Sequence, residues 1–87
     1  MGRYPALIDG KKGAYGVTVP DIPGIVAMGK TVDEAMVNAE EALRDYAIEA
    51  EKDGEAIVPP SDLERVEIQA GQTLVSILLR RVAEMGG

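Results

Sequence analysis

Four carboxylates are the residues of this sequence that could do chemistry. Asp9 follows the first apolar stretch, Asp21 lies in a Pro-Gly turn, and Glu34 and Glu41 lie in a predicted helix. Acidic side chains that converge on one pocket can hold divalent metal ions and cleave a phosphodiester bond. Glu34 and Glu41 are predicted to point away from the apolar stripe of their helix, so we do not expect them to converge with Asp9. We therefore predict no catalytic residues, no metal site and no cofactor.

The sequence contains no His and no Cys. It therefore lacks the commonest general base, the commonest zinc ligand and a thiol nucleophile, and its Ser and Thr hydroxyls have no His to activate them. These absences favour a protein that is not an enzyme. A residual nuclease that uses Asp9 and Asp21 with a divalent metal is the enzymatic alternative.

The charge balance of the chain is acidic. Its 87 residues include 15 Asp and Glu against 9 Lys and Arg, a net charge of −6. This balance argues against a solitary nucleic-acid binder and favours either a basic partner protein or simple solubility. The sequence shows no apolar signal segment and no run of membrane-spanning length, so we expect a cytoplasmic protein with one domain, residues 1–87.

Three short strands are predicted in the first third of the chain. Residues 3–8 and 14–19 alternate apolar side chains, and residues 25–28 form a third apolar stretch. The connections are short, with a glycine-containing hairpin loop at residues 9–13, which indicates an antiparallel meander. Because Pro5 cannot donate a ladder hydrogen bond, we expect it at the start of its strand or at an edge.

A long helix is predicted from Thr31 to about Lys52. Thr31 and Glu34 fit a capping box, in which the Thr31 hydroxyl takes the amide of Glu34 and the Glu34 carboxylate reaches back to the amide of Thr31. Gly54 suits the left-handed residue that ends a helix. The apolar stripe recurs at helical spacing and comprises Val32, Ala35, Met36, Ala39, Leu43, Tyr46, Ala47 and Ala50.

The last third of the chain is more ambiguous. A second capping box at residues 61–64 predicts one short helical turn, and residues 70–72 predict a turn. Residues 73–82 fit both a strand and a helical stripe. We favour a strand to about Arg80, because a three-stranded sheet with one helix needs a further strand to cover its apolar area.

The predicted fold class is α+β, in the order β-β-β-α-β, with one long helix packed on one face of an antiparallel sheet. The other face carries apolar residues such as Leu7, Val26 and Met28. Those residues need a cover, and we expect a second subunit or a partner protein to supply it. We therefore predict a homo-oligomer, either a dimer or a tetramer.

Two surfaces are candidates for contact with a partner or a sister subunit. One is a helix row opposite the stripe, which combines two β-branched apolar residues with two charges: Val37, Glu41, Arg44 and Ile48. A solvated helix face is the alternative reading of that row. The other candidate is the rigid turn beside the sheet edge, made of Asp21, Ile22, Pro23 and Gly24.

These features together resemble the HicB antitoxin family. Members open with a Tyr-Pro strand and a Gly-rich hairpin, continue with a Pro-Asp-hydrophobic-Pro-Gly turn, and then show a Gly and a Thr-x-x-Glu-Ala helix start. An Asn-, Ala- and Glu-rich helix body, two prolines and a Ser follow. The matching residues are Tyr4-Pro5, residues 20–24, Gly29, residues 31–35, residues 38–42, Pro59-Pro60 and Ser61. The resemblance covers residues 4 to about 62, and Ile25 stands where many members have Cys.

The resemblance implies a partial RNase H-like fold that lacks the catalytic carboxylates. It also implies the function of an antitoxin in a type II toxin–antitoxin pair, which binds and neutralises a HicA-type toxin. That toxin is a small basic protein that degrades mRNA with a His, and an acidic chain without His complements it electrostatically. The antitoxin would block the toxin's active site, and the pair would repress its own operon.

Many members of the family carry a C-terminal ribbon-helix-helix or helix-turn-helix element that binds operator DNA. This chain ends at Gly87, soon after the fourth predicted strand, with Arg80-Arg81 as the only basic pair there. We therefore expect no complete C-terminal DNA-binding domain here and do not count DNA or a membrane among the predicted partners. The alternative function is a stand-alone oligomeric structural domain without a toxin partner.

Overall fold

The computed structural model describes residues 2–79, which form one antiparallel sheet with one long helix. The elements are β1 (Gly2–Lys11), β2 (Ala14–Thr18), β3 (Val26–Gly29), α1 (Val32–Lys52), a 3-10 turn (Leu63–Arg65) and β4 (Thr73–Leu79). The strand order in the sheet is β3-β2-β1-β4, and every neighbouring pair is antiparallel. The predicted α+β class, the β-β-β-α-β order and the meander of the first three strands are confirmed.

The ambiguous segment after residue 72 forms a strand. β4 pairs with β1 along its whole length, from Thr73 opposite Ile8 to Leu79 opposite Gly2. Strong β propensity and a full ladder with a central strand favour this conformation over a helical stripe. The rest of the predicted segment, residues 80–82, lies outside the described residues.

The first hairpin is tighter than the sequence suggested. β1 continues to Lys11, which pairs with Ala14, so that the loop contains only Lys12 and Gly13. Gly10 has a φ of 98°, and a Cβ added there would stand 2.2 Å from the carbonyl oxygen of Ala14. The predicted loop over residues 9–13 was therefore too long, because a glycine with positive φ lets the strand bend without ending it.

Pro5 lies within β1, a central strand, and not at the start or edge of the sheet. The prediction for this residue was wrong, and the register shows why the sheet tolerates it. Pro5 pairs with Ser76 of β4, whereas β2 ends at Thr18, opposite Leu7. On the β2 side the ladder has therefore ended before Pro5, so the missing N–H removes no bond to β2.

The helix begins and ends with the predicted signals. The amide of Glu34 donates to the Thr31 hydroxyl at 3.0 Å. The Glu34 carboxylate accepts at 3.0 Å from the amide of Lys30 and not, as predicted, from that of Thr31. At the other end, Gly54 has a φ of 73°, its amide donates to the carbonyl of Glu51, and the amide of Glu55 donates to the carbonyl of Ala50. These two bonds are a Schellman motif, which satisfies the last carbonyls of the helix.

The core lies between α1 and the helix-facing side of the sheet. The most deeply buried large side chains are Tyr4, Leu43, Ile77, Val17 and Val19. Five helix residues are buried against the sheet: Ala35, Ala39, Leu43, Ala47 and Ala50. Met36 and Tyr46 of the predicted stripe are half-buried, and Val32 at its first position is 37% exposed.

The segment between α1 and β4 forms one 3-10 turn, but not through the predicted capping box. The cap residue of this turn is Asp62, and no side chain caps it. The Ser61 hydroxyl donates to the Asp21 carboxylate at 2.6 Å, so it is used for a contact with a distant turn. The predicted turn at residues 70–72 is present, with Gly71 at a φ of 85° and the amide of Gln72 bound to the carbonyl of Gln69.

The side of the sheet opposite α1 is covered unevenly. Val26 and Met28 of β3 are 65% and 66% exposed, whereas Leu7 in the central strand is 7% exposed. The need for a cover, predicted for all three residues, therefore applies to Val26 and Met28.

Candidate protein-binding surface

Small residues bring α1 close to the sheet. Ala35 and Ala39 are fully buried in the contact face. Gly29 lies beside the first turn of the helix, where an added Cβ would stand 2.4 Å from the amide nitrogen of Ala35. Because successive helical side chains rotate around the axis, burial of this face leaves the opposite face of α1 outward.

The predicted row on α1 lies on that outward side. Val37 is 54% exposed and Ile48 is 40% exposed. Glu41 is also exposed, whereas Arg44 is half-buried. Single exposed apolar side chains are common on protein surfaces. Two of them on one helix row, with charges between them, form a surface of mixed character that a protein partner can cover.

The helix carries nearly all of the net charge of the chain. It contains seven acidic residues against two basic ones, a net charge of −5, compared with −6 for the whole sequence. The acidic residues are Asp33, Glu34, Glu40, Glu41, Asp45, Glu49 and Glu51. A concentrated field of one sign attracts a partner of the opposite sign. Among residues 2–79, no helix is long and apolar enough to cross a membrane.

One flank of the outward face lies beside β3. Asn38 marks this side, because its side-chain amide donates to the carbonyl of Met28 at 2.7 Å. Asp45 and Glu49 follow Asn38 after seven and eleven residues, close to two and three helical turns, and therefore share its side of the helix. Both are exposed. We call Asp45 and Glu49 the acidic flank.

The other flank lies beside β4. Four helix residues and one strand residue line a shallow groove there: Val37, Glu40, Glu41, Arg44 and Leu78. We call the four helix residues the mixed flank, since they combine an apolar side chain, two carboxylates and a guanidinium group. The two flanks therefore differ in chemistry, and each lies next to a different edge of the sheet.

The Pro-Gly turn is only partly available to a partner. Asp21 accepts hydrogen bonds from the amide of Ser61 at 2.7 Å and from its hydroxyl at 2.6 Å, which ties this carboxylate to the chain after α1. Ile22 is 4% exposed and belongs to the core. Pro23 and Gly24 are exposed. Of the four turn residues predicted as contacts, the last two present free surface.

The carboxylates that could have formed a metal site lie apart. Asp9 is near the hairpin end of β1, whereas Asp21 is close enough to Tyr4 to affect its pKa. Tyr4 and Asp9 are five residues apart on one strand, or roughly 17 Å. Within the described part of the chain, no three Asp, Glu, His or Cys side chains are grouped so that they could hold a metal ion.

Among the described residues, Tyr4 is the one group whose pKa is clearly shifted. Burial raises the pKa of its phenol above the usual value of 10.0, with smaller contributions from Tyr46 and Asp21. The Tyr4 hydroxyl donates to the carbonyl of Val58. These contacts make Tyr4 a structural residue that holds the segment after α1, and its pKa is moved away from the range useful for proton transfer at neutral pH.

Sequence reasoning missed four residues of this surface. Glu40 and Leu78 complete the groove, and Asp45 and Glu49 form the acidic flank. The two acidic positions could have been found from their helical spacing. Leu78 could not, because its approach to α1 depends on how β4 joins the sheet.

Comparisons with known proteins identify relatives of the chain. The family described as HicB-like antitoxin of bacterial toxin–antitoxin systems matches residues 4–82. A UPF0150 protein of Thermoplasma acidophilum is 40% identical over 69 residues, which are 78% of this chain and 99% of that protein. A 14.9 kDa protein from the rep-hol intergenic region of Haemophilus phage HP1 is 39% identical over 59 residues. Those residues are 68% of this chain but only 44% of the phage protein, so the chain matches less than half of its length.

Solved structures show the same fold. The N-terminal domain of the Burkholderia pseudomallei antitoxin HicB superposes with a TM-score of 0.76 at 30% identity, covering 90% of this chain and 98% of that domain. The longer HicB chain from the same organism gives a TM-score of 0.79 at 31% identity, covering 91% of this chain and 64% of its own length. A chain of a HicA3–HicB3 toxin–antitoxin complex gives 0.72 at 25% identity, covering 90% of this chain and 98% of its own length.

Proposed function

The chain belongs to the family of HicB-like antitoxins of bacterial toxin–antitoxin systems, and on this premise we propose that it binds and neutralises a small basic toxin of the HicA type. It does so as a binding protein that covers the active site of the toxin, without catalysis of its own. The observation that carries the proposal is the net charge of −5 on the helix α1.

The charge of α1 suits this task. A toxin that cleaves RNA needs a basic surface, because most of its affinity for a nucleic acid comes from the phosphates. A helix with seven carboxylates can compete for that surface and can speed the encounter through long-range attraction. Binding of this kind weakens as the salt concentration rises.

The acidic flank is the most suitable part of α1 for the toxin. Asp45 and Glu49 are exposed there, and Ile48 adds an exposed apolar side chain between them along the helix. The exposed Pro23 and Gly24 lie shortly before β3, the strand beside this flank, and only Ile25 separates them from it. We propose that these five residues form one contact surface, with an apolar centre and a charged rim.

A calorimetric titration tests the proposal. The probe is the product of a neighbouring gene that encodes a short, basic, His-containing protein, with its His replaced by Ala so that it can be produced safely. We expect submicromolar 1:1 binding that weakens as salt is added. The absence of binding at about 50 μM, a concentration that detects even weak complexes, would overturn the proposal.

Matched charge reversals test the contact surface. The double variant Asp45→Lys with Glu49→Lys should weaken binding at least about tenfold, because it reverses two charges at the contact. The control Asp62→Lys with Glu64→Lys makes the same change of net charge at exposed positions around the 3-10 turn. Equal weakening by both pairs would show that only the overall charge of the chain matters.

The proposal includes self-association of the chain as a dimer or tetramer. Its support is the exposure of large apolar side chains in a chain of only 87 residues, Val26 and Met28 above all. The same observation favours a second candidate function, a stand-alone oligomeric structural domain. An oligomer that binds no product of any adjacent gene would favour that second candidate.

A further inference from the structure

The side of the sheet that faces away from α1 has a gap at Gly16. The register places Gly16 opposite Asp9 on one neighbouring strand and opposite Met28 on the other. Directly opposed residues of an antiparallel ladder share a face of the sheet. This row alternates with the buried row of Ile8 and Val17, so it faces away from the core. The row therefore has no side chain at its middle position, between an acidic residue and a large apolar one.

The Asp9 carboxylate leans over this gap. A Cβ added at Gly16 would stand 3.2 Å from Oδ1 of Asp9, and its next neighbour would be the backbone oxygen of Ala27 at 3.9 Å. Asp9 and Met28 lie two strand spacings apart, which is roughly 10 Å between their backbones. We call the space between these two side chains, with Gly16 as its floor, the notch.

The acidic wall of the notch has no partner within the described chain. Asp9 is exposed, and within residues 2–79 no group hydrogen-bonds to its carboxylate or forms an ion pair with it. Lys11, two residues further along β1, does not pair with it either. The carboxylate is therefore available to a cation from outside the chain, and hydrogen bonds between two ionised groups are among the strongest that side chains make.

The opposite wall of the notch is apolar. Met28 and Val26 of β3 are 66% and 65% exposed, which makes them the most exposed large apolar side chains among residues 2–79. Thr18 lies opposite Val26 in the neighbouring row and is also exposed. The patch around the notch thus combines an apolar part with one negative charge and contains no basic residue.

We propose that the notch accepts one arginine side chain of the basic toxin, which makes Asp9 a specificity-determining residue of that contact. The guanidinium group lies over Gly16 and donates two hydrogen bonds to the Asp9 carboxylate, while the aliphatic stem lies along Met28. Arginine suits the notch better than lysine, because its planar group fits above a residue without a side chain and binds a carboxylate through two bonds. The inference rests on the proposed function and adds a second contact to it.

The notch lies close to the contact surface on α1. β3 is an edge strand, with the acidic flank beside it on one face of the sheet and Val26 and Met28 on the other face. Among residues 2–79 this edge has little free backbone, because the strand has four residues and the Met28 carbonyl is bound by the Asn38 side chain. A partner that covers this edge therefore contacts it through side chains and can reach both faces of β3.

Charge favours an arginine of a basic protein over a second copy of this chain. An interface between two identical patches repeats the same residues on both sides. Contact through this patch would enclose two Asp9 carboxylates and supply no cation for either. Self-association that covers Val26 and Met28 is the competing arrangement, and it would leave the affinity for the toxin independent of Asp9.

Removal of the Asp9 charge is the first test. Asp9→Asn keeps the size of the side chain, and calorimetry with the toxin whose His is replaced by Ala should show an affinity at least about tenfold lower. The control Asp62→Asn removes the same charge from an exposed position beside the 3-10 turn and should change the affinity less than about threefold. Equal binding by the unaltered chain and Asp9→Asn would overturn the notch alone. No binding by the unaltered chain would overturn the proposed function and the notch with it.

Binding rates separate a covered ion pair from long-range attraction. Loss of a covered pair mainly raises the dissociation rate, whereas loss of a distant charge mainly lowers the association rate. Asp9→Asn should therefore raise the dissociation rate, and Asp62→Asn should leave it unchanged. An effect of Asp9→Asn that is confined to the association rate would contradict a contact in the notch.

A side chain at Gly16 should block the notch without harm to the fold. The φ of Gly16 is not in the left-handed region, and valine suits a strand better than glycine does. Gly16→Val should therefore keep or raise Tm while it lowers the affinity for the toxin at least about tenfold. The control Ala14→Val adds the same side chain at the exposed start of β2 and should leave the affinity unchanged. Full affinity in Gly16→Val would overturn the proposal.

A double-mutant cycle identifies the arginine. Each exposed arginine of the toxin is replaced in turn by alanine, and each variant is titrated against the unaltered chain and against Asp9→Asn. One replacement should lower the affinity at least about tenfold with the unaltered chain but less than about threefold with Asp9→Asn, because the pair is already broken there. A toxin in which no arginine is coupled to Asp9 would overturn the proposal.

Discussion

Tyr4 of β1 and Tyr46 of α1 bind the two backbone groups of one residue, Val58. The Tyr4 hydroxyl donates to the Val58 carbonyl, and the Tyr46 oxygen accepts from the Val58 amide at 3.2 Å. One residue of the segment after the helix is thus attached to the sheet and to the helix together. Asp21 holds the same segment three residues later, at Ser61.

The Tyr4 contact predicts a loss of stability in alkali. Burial raises the folded-state pKa of Tyr4 above its unfolded value near 10. The folded chain therefore holds this proton more tightly than the unfolded chain. The stabilisation is fully present below about pH 10 and is lost as the pH rises through the folded pKa. The free energy of unfolding should fall over this window.

Tyr4→Phe should remove this alkaline dependence and lower the stability at neutral pH by about 1 kcal/mol, because a buried hydrogen bond is lost. The matched control is Tyr15→Phe, since the Tyr15 hydroxyl makes no such bond. Urea denaturation at a series of pH values measures both effects. If the free energy of unfolding of Tyr4→Phe still falls with pH as steeply as that of the original chain, the Tyr4 phenol is not the group responsible.

The Asp21 carboxylate should stabilise the fold through Ser61. Asp21→Ala leaves the amide and hydroxyl of Ser61 without their acceptor and should cost about 1–2 kcal/mol, roughly 4–16 °C in Tm for a domain of this size. Asp62→Ala removes a carboxylate nearby that caps no helix turn, and should change Tm little. Thermal unfolding followed by circular dichroism compares the two, and equal losses would contradict this role of Asp21.

Gly29 should be intolerant of a side chain. A Cβ at this position would lie 2.4 Å from the amide nitrogen of Ala35, so α1 would have to move away from the sheet. Gly29→Ala should cost about 1–3 kcal/mol, the usual range for overpacking. At Gly16 the nearest atom to an added Cβ is the end of the Asp9 side chain at 3.2 Å, which can move. A Gly16→Ala control that loses as much stability would show that the loss at Gly29 does not come from the helix contact.

The capping box should contribute measurably to stability. Thr31→Ala removes the acceptor of the Glu34 amide and should lower the free energy of unfolding by about 1 kcal/mol. Thr31→Ser keeps the acceptor oxygen and should stay within about 0.5 kcal/mol of the original. Chemical denaturation measures the free energy of unfolding of both variants. A loss in Thr31→Ser as large as that in Thr31→Ala would show that the Thr31 hydroxyl does not stabilise the start of the helix.

Local signals in the sequence predicted most of the fold. The helix start at Thr31 and its end at Gly54 were read correctly because caps depend on residues close in sequence. The fourth strand was inferred from the apolar area that a three-stranded sheet would leave uncovered. The Pro5 prediction failed because it took no account of where the neighbouring strand ends, which is a property of the register.

The candidate surface was predictable only in part. The outward position of Val37 and Ile48 follows from helical periodicity alone. The role of Asp21 does not, because its partner Ser61 is 40 residues away in sequence. The division of the helix face into two flanks also needed the structure, since it depends on which edge strand lies beside each side chain.

The unequal sheet edges set a limit on assembly. A sheet with two open edges can add subunits without end, and the product is a filament. Here one edge strand, β3, has only four residues, and the carbonyl of its Met28 is bound by the Asn38 side chain, so among residues 2–79 this edge offers little backbone to a further strand. Growth of the sheet through both of its edges, which a fibre of stacked strands requires, is therefore disfavoured on the β3 side.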